Sequence, residues 1–414
     1  KAGVYPIRII FAGSEKKFRE EKNLTLTVID AVLPEQSLIY TQWFHADCIA
    51  SYYGYEILSE KHWKMIGKFM KTAAKNGINM ILTPVFTLPL DTKVGGERPT
   101  LQLVDVRKEG ETYSFSYQNL KKWIILAKEA GIHWFEISHL FSQWGAKYAP
   151  KIMALENGEQ KRIFGWETEA CDPEYQSFLA QFLPSLTSFL KKEGIEKNTY
   201  FHISDEPHGE EQKENYRRAK EIVKPFLKDF IVIDAVSEYA FYEEKLVEHP
   251  VICTDRIAPF LANDVPDLWC YYCCAETKEV SNRFFSMPSW RNRIIGIQLY
   301  LYHIKGFLQW GFNFYYSQNS KDKINPFLSG DAFGVYPGED GPIEALSLVI
   351  FHQALQDLRA FQLLETLAGR EAIEDLLQKN TEKKITFSEY PKGADWLLEM
   401  REQVNKEISK YSIK

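Results

Sequence analysis

The sequence lacks the glycine-rich motifs that bind phosphate groups: it contains neither a G-x-G-x-x-G turn nor a G-x-x-x-x-G-K-[ST] loop. It also lacks the run of roughly 18 apolar residues that a membrane helix requires, because prolines or polar side chains interrupt its most apolar windows, 78–90 and 294–308. No basic stripe occurs, and the net charge is −6. These absences predict a protein with no membrane span and no nucleic-acid partner.

Cysteine is scarce, with six residues in a chain of 414. Cys270 and Cys273 form a single C-x-x-C, but no second pair has the spacing of a zinc site. We therefore expect free, structural thiols and neither a metal nor another cofactor. Free thiols favour a reducing, cytoplasmic location, and a secreted form from which a signal peptide has been removed stays an alternative.

Aromatic residues, in contrast, are plentiful, with ten Trp and 22 Tyr. Two interpretations stay open. Large hydrophobic cores use aromatic rings to fill space, and flat rings can also line a pocket that binds the apolar faces of sugars. The oligomeric state has no signal in the sequence.

From residue 36 onwards, short apolar segments alternate with amphipathic helical segments. This alternation predicts parallel strands connected by helices, and the count of units predicts a (β/α)8 barrel of the TIM type. We expect a β-strand segment at 1–35, either the end of an upstream β-sandwich or a packing arm, then the barrel at 36–367 and a helical C-terminal extension at 368–414. The expected barrel strands are 37–44, 78–86, 133–138, 199–204, 230–236, 251–254, 268–274 and 307–315. The expected helices are 60–76, 118–130, 173–193, 211–227, 287–304 and 341–367.

Two consecutive acids, Asp205 and Glu206, follow the fourth predicted barrel strand. Active sites of such barrels lie at the carboxyl ends of the strands. Neighbouring side chains of a strand point to opposite faces, so both acids can share a pocket only where the strand has ended, and Pro207 marks that point. Two carboxyls held close raise the pKa of one of them, which yields a general acid. A solvated acidic turn is the alternative.

Four segments resemble glycoside hydrolase family 123. They are LPEQSLIYTQWFHADCIASY at 33–52 with the following SEKHW, FHISDEP at 201–207, FLQWGFNFYY at 307–316 and VYPGEDGPIEALSL at 335–348. The resemblance implies a retaining β-N-acetylgalactosaminidase, in which the 2-acetamido group of the substrate itself attacks the anomeric carbon and forms an oxazoline. Asp205 would then orient the acetamido N–H, and Glu206 would act as the general acid and base.

Further residues at the predicted rim are candidates for sugar contacts. A tyrosine hydroxyl would polarise the acetamido group, with Tyr272, Tyr271 and Tyr316 as candidates in that order. Trp310 and Trp269 would stack on the pyranose ring, or else belong to the barrel core. The histidines His45, His139 and His202, with Asp47, would bond sugar hydroxyls. The expected partner is a glycan or glycolipid that ends in β-linked N-acetylgalactosamine.

Two other functions stay open at this point. In a metal-dependent barrel hydrolase, the ligands would be His45, Asp47, His139, His202 and Asp255. That interpretation leaves the acid pair without a role. In a sugar-binding barrel without catalysis, the aromatic pocket would remain, but the acids would have no reason to be kept. The sequence does not separate N-acetylgalactosamine from its gluco epimer or from sulfated forms.

Overall fold

The computed structural model describes residues 1–13, 18–315 and 329–412. Its strands, in chain order, are β1 Gly3–Ala12, β2 Arg19–Val28, β3 Ile39–Gln42, β4 Met80–Thr83, β5 Asp105–Glu109, β6 Thr112–Ser116, β7 Trp134–Ile137, β8 Ile152–Glu156, β9 Glu159–Phe164, β10 Thr199–Phe201, β11 Ile231–Val236, β12 His249–Cys253, β13 Trp269–Tyr271, β14 Gly306–Gln309, β15 Val335–Gly338 and β16 Gly341–Glu344. Its α-helices are α1 Ala46–Tyr53, α2 Glu60–Lys75, α3 Gln118–Ala130, α4 Pro173–Lys192, α5 Gly209–Val223, α6 Ala240–Glu243, α7 Ala258–Ala262, α8 Trp290–Arg293, α9 Ile295–Leu301, α10 Leu346–Ala368, α11 Arg370–Asn380 and α12 Ala394–Ser412.

Eight parallel strands close into a barrel, in the order β3, β4, β7, β10, β11, β12, β13, β14 and back to β3. Each predicted barrel strand overlaps one of these eight, so the prediction of a (β/α)8 barrel is confirmed. Every barrel neighbour is also the next barrel strand along the chain, which is the arrangement that right-handed helical crossovers produce. The carboxyl ends of the strands therefore meet at one rim.

The helices begin and end where their capping residues predict. The Ser59 hydroxyl accepts the amide of His62 at the start of α2. The Asp172 carboxylate accepts two amides at the start of α4, where Pro173 occupies the first turn. Helix α3 ends at Gly131, whose φ of 98° is one that glycine adopts without strain. Local capping thus places the helix termini within a few residues of their expected positions.

Two predicted helices differ from the observed ones. The segment 287–304 is divided into α8 and α9 and begins after Pro288. The segment 341–367 starts as strand β16, which pairs with β15, and becomes helical only at Leu346. The sequence Gly341–Pro342 explains the second difference, because both residue types disfavour a helix interior.

A four-stranded sheet, which the sequence did not predict, lies beside the barrel. The hairpin β5–β6 follows barrel strand β4, and the hairpin β8–β9 follows barrel strand β7. Strands β5 and β8 pair in parallel and join the two hairpins into the order β6-β5-β8-β9. The long connections after two adjacent barrel strands are therefore held together by backbone hydrogen bonds.

Aromatic rings fill the amino end of the barrel. Tyr200 of β10 contacts Trp134 of β7 and Trp269 of β13, with ring centroids 5.9 and 5.6 Å apart. Because β10 and β13 are not neighbours, the second contact crosses the barrel interior. The ring of Trp269 lies over Gly306, where a Cβ atom would stand 1.9 Å from its Cδ2 atom. This end is therefore a packed core.

The two termini differ from the barrel in exposure. Strands β1 and β2 form an antiparallel hairpin whose residues are exposed along nearly their whole length. Helices α11 and α12 form the C-terminal extension, and α12 packs on α10. The limits of the three predicted domains stay predictions. Among the described residues, no helix is long and apolar enough to cross a bilayer.

Candidate active site

Asp205 and Glu206, the acid pair, lie just beyond the carboxyl end of β10. Asp205 is buried and Glu206 is half-buried. Glu206 has a φ of 44°, a left-handed conformation that is uncommon for a residue with a side chain. This turn ends the alternation of the strand. Such backbone conformations cluster at functional sites, where the surrounding structure holds them in place.

Asp205 is held by the loop that follows β7. The amide Nε2 of Gln143 donates to its Oδ2 at 2.7 Å, and the backbone amide of Trp144 donates to its carbonyl oxygen at 2.8 Å. Burial raises the pKa of Asp205 well above its ordinary value, and the negative charges of Glu206 and Asp91 raise it further. The Gln143 hydrogen bond and the charge of His202 act in the opposite direction.

Glu206 is held from the opposite side of the barrel mouth. The hydroxyl of Tyr271, at the end of β13, donates to Glu206 Oε1 at 2.5 Å. Burial and the nearby Glu206 charge raise the pKa of Tyr271 well above its ordinary value, so the phenol keeps its proton. The two acids thus have separate partners, one on the loop after β7 and one at the end of β13.

The order of the tyrosine candidates requires a correction. The Tyr272 hydroxyl donates to Asn292 Oδ1 at 2.8 Å, and its ring packs on Phe307 and Phe351. These contacts place Tyr272 on the outer face of the barrel, under α10. Because side chains alternate along a strand, Tyr271 faces the mouth instead. Tyr316 lies outside the described residues.

Asp91 brings a third carboxyl close to the acid pair. It follows β4, and its backbone amide donates to Gln143 Oε1 at 2.7 Å. Burial, together with the charges of Glu206 and Asp331, raises the pKa of Asp91 to about 7 against the opposing effect of Arg98. The rim near the acid pair is therefore strongly acidic.

Arg98 engages two of the residues expected to bond sugar hydroxyls. Its guanidinium donates to both carboxylate oxygens of Asp47 and to Nδ1 of His45, at 2.5 to 3.0 Å. The other ring nitrogen of His45 bonds the carbonyl of Trp310 at 3.0 Å. Burial and the Arg98 charge lower the pKa of His45 to about 3. His45 is thus neutral, and both of its ring nitrogens have protein partners.

His202 belongs to a buried ionic network below the site. Its ring bonds Asp234 at 3.2 Å and Glu136 at 3.0 Å. Burial alone would lower the pKa of His202, but the hydrogen bonds to Asp234 and Glu136 raise it to about 9. His202 is therefore a cation between two carboxylates, and both nitrogens are already bonded within the protein.

His139 differs from the other two histidines. Its ring stacks on His202 at 4.3 Å with an interplanar angle of 18°. It is buried, and within the described ranges neither of its nitrogens has a hydrogen-bond partner. Burial and the neighbouring His202 charge lower its pKa well below the ordinary value. Of the three predicted histidines, His139 keeps the most capacity to bond a sugar hydroxyl.

The two tryptophan candidates occupy opposite ends of the barrel. Trp310 follows β14 at the carboxyl rim, where its Nε1 donates to Asp331 at 3.0 Å. Burial raises the pKa of Asp331 to about 6, although Arg283 and the Trp310 hydrogen bond lower it in part. Trp269 fills the amino end, which fits the core interpretation of this residue and separates it from the acid pair.

The metal ligands considered from the sequence are divided among different contacts. His45 and Asp47 bond Arg98, and Asp255 lies near Cys253 and Glu276. His139, His202 and Asp234 do bring their ligand atoms within 4.8 Å of one another. Yet the two imidazole rings are nearly parallel, so their in-plane lone pairs run side by side and do not converge on one ion. The geometry disfavours a metal-centred site here.

A cavity of about 1620 Å³ lies elsewhere, between residues 254–280 and the segment 370–388. None of the acid pair, Gln143 or Tyr271 lines it. Its size alone therefore does not identify it as the catalytic centre.

Several residues of the site were not identified from the sequence. Glu136 and Asp234 carried a signal, because each is an acid within an otherwise apolar strand. Gln143, Asp91 and Arg98 lie in loops with no recognisable pattern. Only the folded chain brings Gln143 and Asp91 to the acid pair, and Arg98 to Asp47 and His45.

Comparison with known proteins identifies one family. The model of "Glycoside hydrolase 123, catalytic domain" matches residues 43–364. A solved family 123 glycoside hydrolase from Clostridium perfringens aligns with a TM-score of 0.73 and 16% identity, covering 100% of this chain and 76% of that one. An endo-1,4-β-mannanase from Rhizomucor miehei aligns with a TM-score of 0.45 and 8% identity, covering 81% of this chain and 100% of that one, and supports no further conclusion. No curated protein sequence matches significantly.

Proposed function

The chain belongs to glycoside hydrolase family 123, and we propose that it removes terminal β-linked N-acetylgalactosamine by a substrate-assisted, retaining mechanism. Glycoside hydrolysis follows from the family. The sugar, the stereochemical outcome and the oxazoline intermediate are the parts that we propose.

The observation that carries the proposal is that the two acids have different exposure and different hydrogen-bond partners. Asp205 is buried and already accepts a hydrogen bond from Gln143, which suits a group that receives the acetamido N–H and stabilises developing positive charge. Glu206 is half-buried and accepts the Tyr271 hydroxyl, which suits a group that exchanges protons with the leaving oxygen and with water.

The proposed reaction has two steps. The acetamido oxygen attacks the anomeric carbon while Glu206 donates a proton to the departing glycosidic oxygen, and the bond to the aglycone breaks. Glu206 then takes a proton from a water molecule, whose oxygen bonds to the anomeric carbon. The bond between that carbon and the acetamido oxygen breaks, the acetamido group is restored and Glu206 is again protonated. Ordinary retaining enzymes use a protein carboxylate about 5 Å from the acid as nucleophile, and here the substrate supplies that group.

The class of aglycone is a further part of the proposal. The family 123 structure from Clostridium perfringens is described in terms of glycolipid glycan hydrolysis. We extend this to the present chain as an expected substrate class, a glycan or glycolipid with a terminal β-linked N-acetylgalactosamine.

The test compares 4-nitrophenyl β-N-acetylgalactosaminide, its gluco epimer and 4-nitrophenyl β-galactoside, which has no acetamido group. We expect turnover of the galacto amino sugar and none of the galactoside. Progressive fluorination of the N-acetyl group should slow the reaction, because it weakens the attacking carbonyl oxygen.

The variant Glu206→Gln should lower kcat/KM by roughly 10² to 10⁴. Glu211→Gln, an exposed acid at the start of α5, is the matched control and should leave the rate unchanged. An unaffected Glu206→Gln enzyme, or activity lost on chelation, would contradict the proposal. Binding of N-acetylgalactosamine without turnover of any glycoside would indicate a sugar-binding barrel instead.

A further inference from the structure

Gln143 has an orientation that its surroundings fix. Its Oε1 accepts the backbone amide of Asp91 at 2.7 Å, and its Nε2 donates to Asp205 Oδ2 at 2.7 Å. A backbone N–H can only donate, so the carbonyl end of the side chain must face Asp91. The NH₂ end must then face Asp205, and it can only donate. Oδ2 of Asp205 is therefore required to be an acceptor.

The charges around Asp205 act mostly against that requirement. Burial, Glu206 on its own segment and Asp91 on the loop after β4 all favour the protonated carboxyl. His202, at the end of β10, is the one cationic group among the described neighbours that favours the carboxylate. An Asp205 that receives an acetamido N–H must nevertheless present an acceptor oxygen.

The backbone near Asp205 is fixed independently of Gln143. Trp144 N donates to the Asp205 carbonyl, Ala146 N donates to Ser204 Oγ at 3.1 Å, and Ser204 Oγ donates to the Ser142 carbonyl at 2.8 Å. These bonds set where the two loops lie. They leave the rotation and protonation of the Asp205 carboxyl to its side-chain partners.

We propose that Gln143 is a positioning residue, which aims the Asp205 carboxyl and keeps it in its acceptor form for the acetamido group. This inference rests on the proposed function. The Asp91 amide contributes by preventing the Gln143 side chain from turning its carbonyl towards Asp205. The segment that carries Asp91 thereby influences catalysis through its backbone.

The test is the pH profile of kcat/KM for Gln143→Leu and Gln143→Glu. Donation from Gln143 stabilises the ionised carboxyl, so its loss raises the pKa of Asp205 and moves the acidic limb to higher pH. For Gln143→Leu we expect the acidic limb to move up by about one pH unit. At pH values below the limb, kcat/KM should then be about tenfold lower than in the wild type. Glu keeps the size of the side chain but places a third carboxyl against Asp205, so its shift should be larger.

Gln102 supplies the matched control. Its Nε2 donates to the carbonyls of Val104 and Met153 at 2.8 and 3.0 Å, and its Oε1 accepts Met153 N at 3.0 Å. It therefore joins the same two barrel connections without touching the acid pair. Gln102→Leu should leave the position of the acidic limb unchanged. Gln143 variants that lose rate uniformly, with a wild-type limb, would overturn the proposal.

A readout without turnover separates this proposal from the proposed function. Aspartate labelled with ¹³C at the carboxyl carbon reports the titration of Asp205, which Asp205→Asn assigns by difference. Gln143→Leu should raise that pKa, and an unchanged value would refute the positioning role. Wild-type protein that hydrolyses no β-N-acetylhexosaminide, yet shows this shift, would refute the proposed function alone.

Discussion

The two ends of the barrel contain very different side chains. At the carboxyl rim, Asp91, Asp205, Glu206 and Asp331 lie near one another. At the amino end, the rings of Trp134, Tyr200 and Trp269 fill the interior. The same eight strands thus carry costly buried carboxyls at one end and favourable apolar packing at the other. The comparison suggests that the amino end stabilises a fold whose other end is kept for chemistry.

The largest expected effect tests the amino end. Trp269→Ala should lower the free energy of unfolding by about 3–5 kcal/mol, because it leaves a cavity across the barrel interior. The kcat of the folded fraction should change little, since Trp269 packs against Tyr200 at the amino end and not against the acid pair. Urea unfolding and kcat, measured on the same preparation, check both points.

Trp144→Ala is the matched control at the other end. Trp144 is 46% exposed, so the substitution should lower the free energy of unfolding by much less than Trp269→Ala does. Equal losses of unfolding free energy from Trp269→Ala and Trp144→Ala would contradict the proposal that the amino end stabilises the fold more than the carboxyl rim does.

A second prediction concerns the network beneath the rim. The folded pKa of His202 is about 9, above the ordinary value of about 6.5. The protonated ring therefore stabilises the fold fully below pH 6.5, and this stabilisation is lost as the pH rises through 9. The difference corresponds to about 3 kcal/mol.

Urea unfolding between pH 6 and 10 measures this loss. His202→Gln should flatten the pH dependence, whereas His208→Gln, which alters an exposed ring, should retain it. A wild-type stability that does not fall between pH 6.5 and 9 would show that His202 is not a cation in the fold.

The smallest expected effect tests the roles assigned to Tyr271 and Tyr272. Tyr271→Phe removes the hydroxyl that bonds Glu206, while the ring remains. A hydrogen bond to a charged group contributes about 1.5–3 kcal/mol, part of which water will replace, so kcat should fall by roughly 3- to 10-fold. Tyr272→Phe, which breaks the bond to Asn292, should affect stability and spare kcat. The reverse pattern would restore the original order of the two tyrosines.

The sequence predicted most of the strands and helices because the patterns that indicate them involve residues close together in the chain. Apolar runs and helix caps at Ser59, Asp172 and Gly131 depend on neighbouring residues. The acid pair was identified from a dipeptide followed by Pro207. The face of the barrel on which Tyr271 lies was not. The predicted strand 268–274 continues three residues past the observed end at Tyr271, so the sequence did not show which of the two tyrosines faces the mouth.

Other features depend on contacts that no local pattern encodes. Gln143 meets Asp205 across 62 positions of the chain, and Arg98 meets Asp47 across 51. The side sheet was missed because its strands are short and partly charged, as in DVRKE of β5. Such strands acquire their pairing only when both connections are in place.

That side sheet has an evolutionary consequence. A two-stranded hairpin is marginally stable by itself, and removing one hairpin would leave β5 or β8 with an unpaired edge. The two insertions are separated in the chain by α3 and β7, yet each supplies the other with its missing neighbour. We expect them to be inherited as a unit, so that natural relatives have both hairpins or neither.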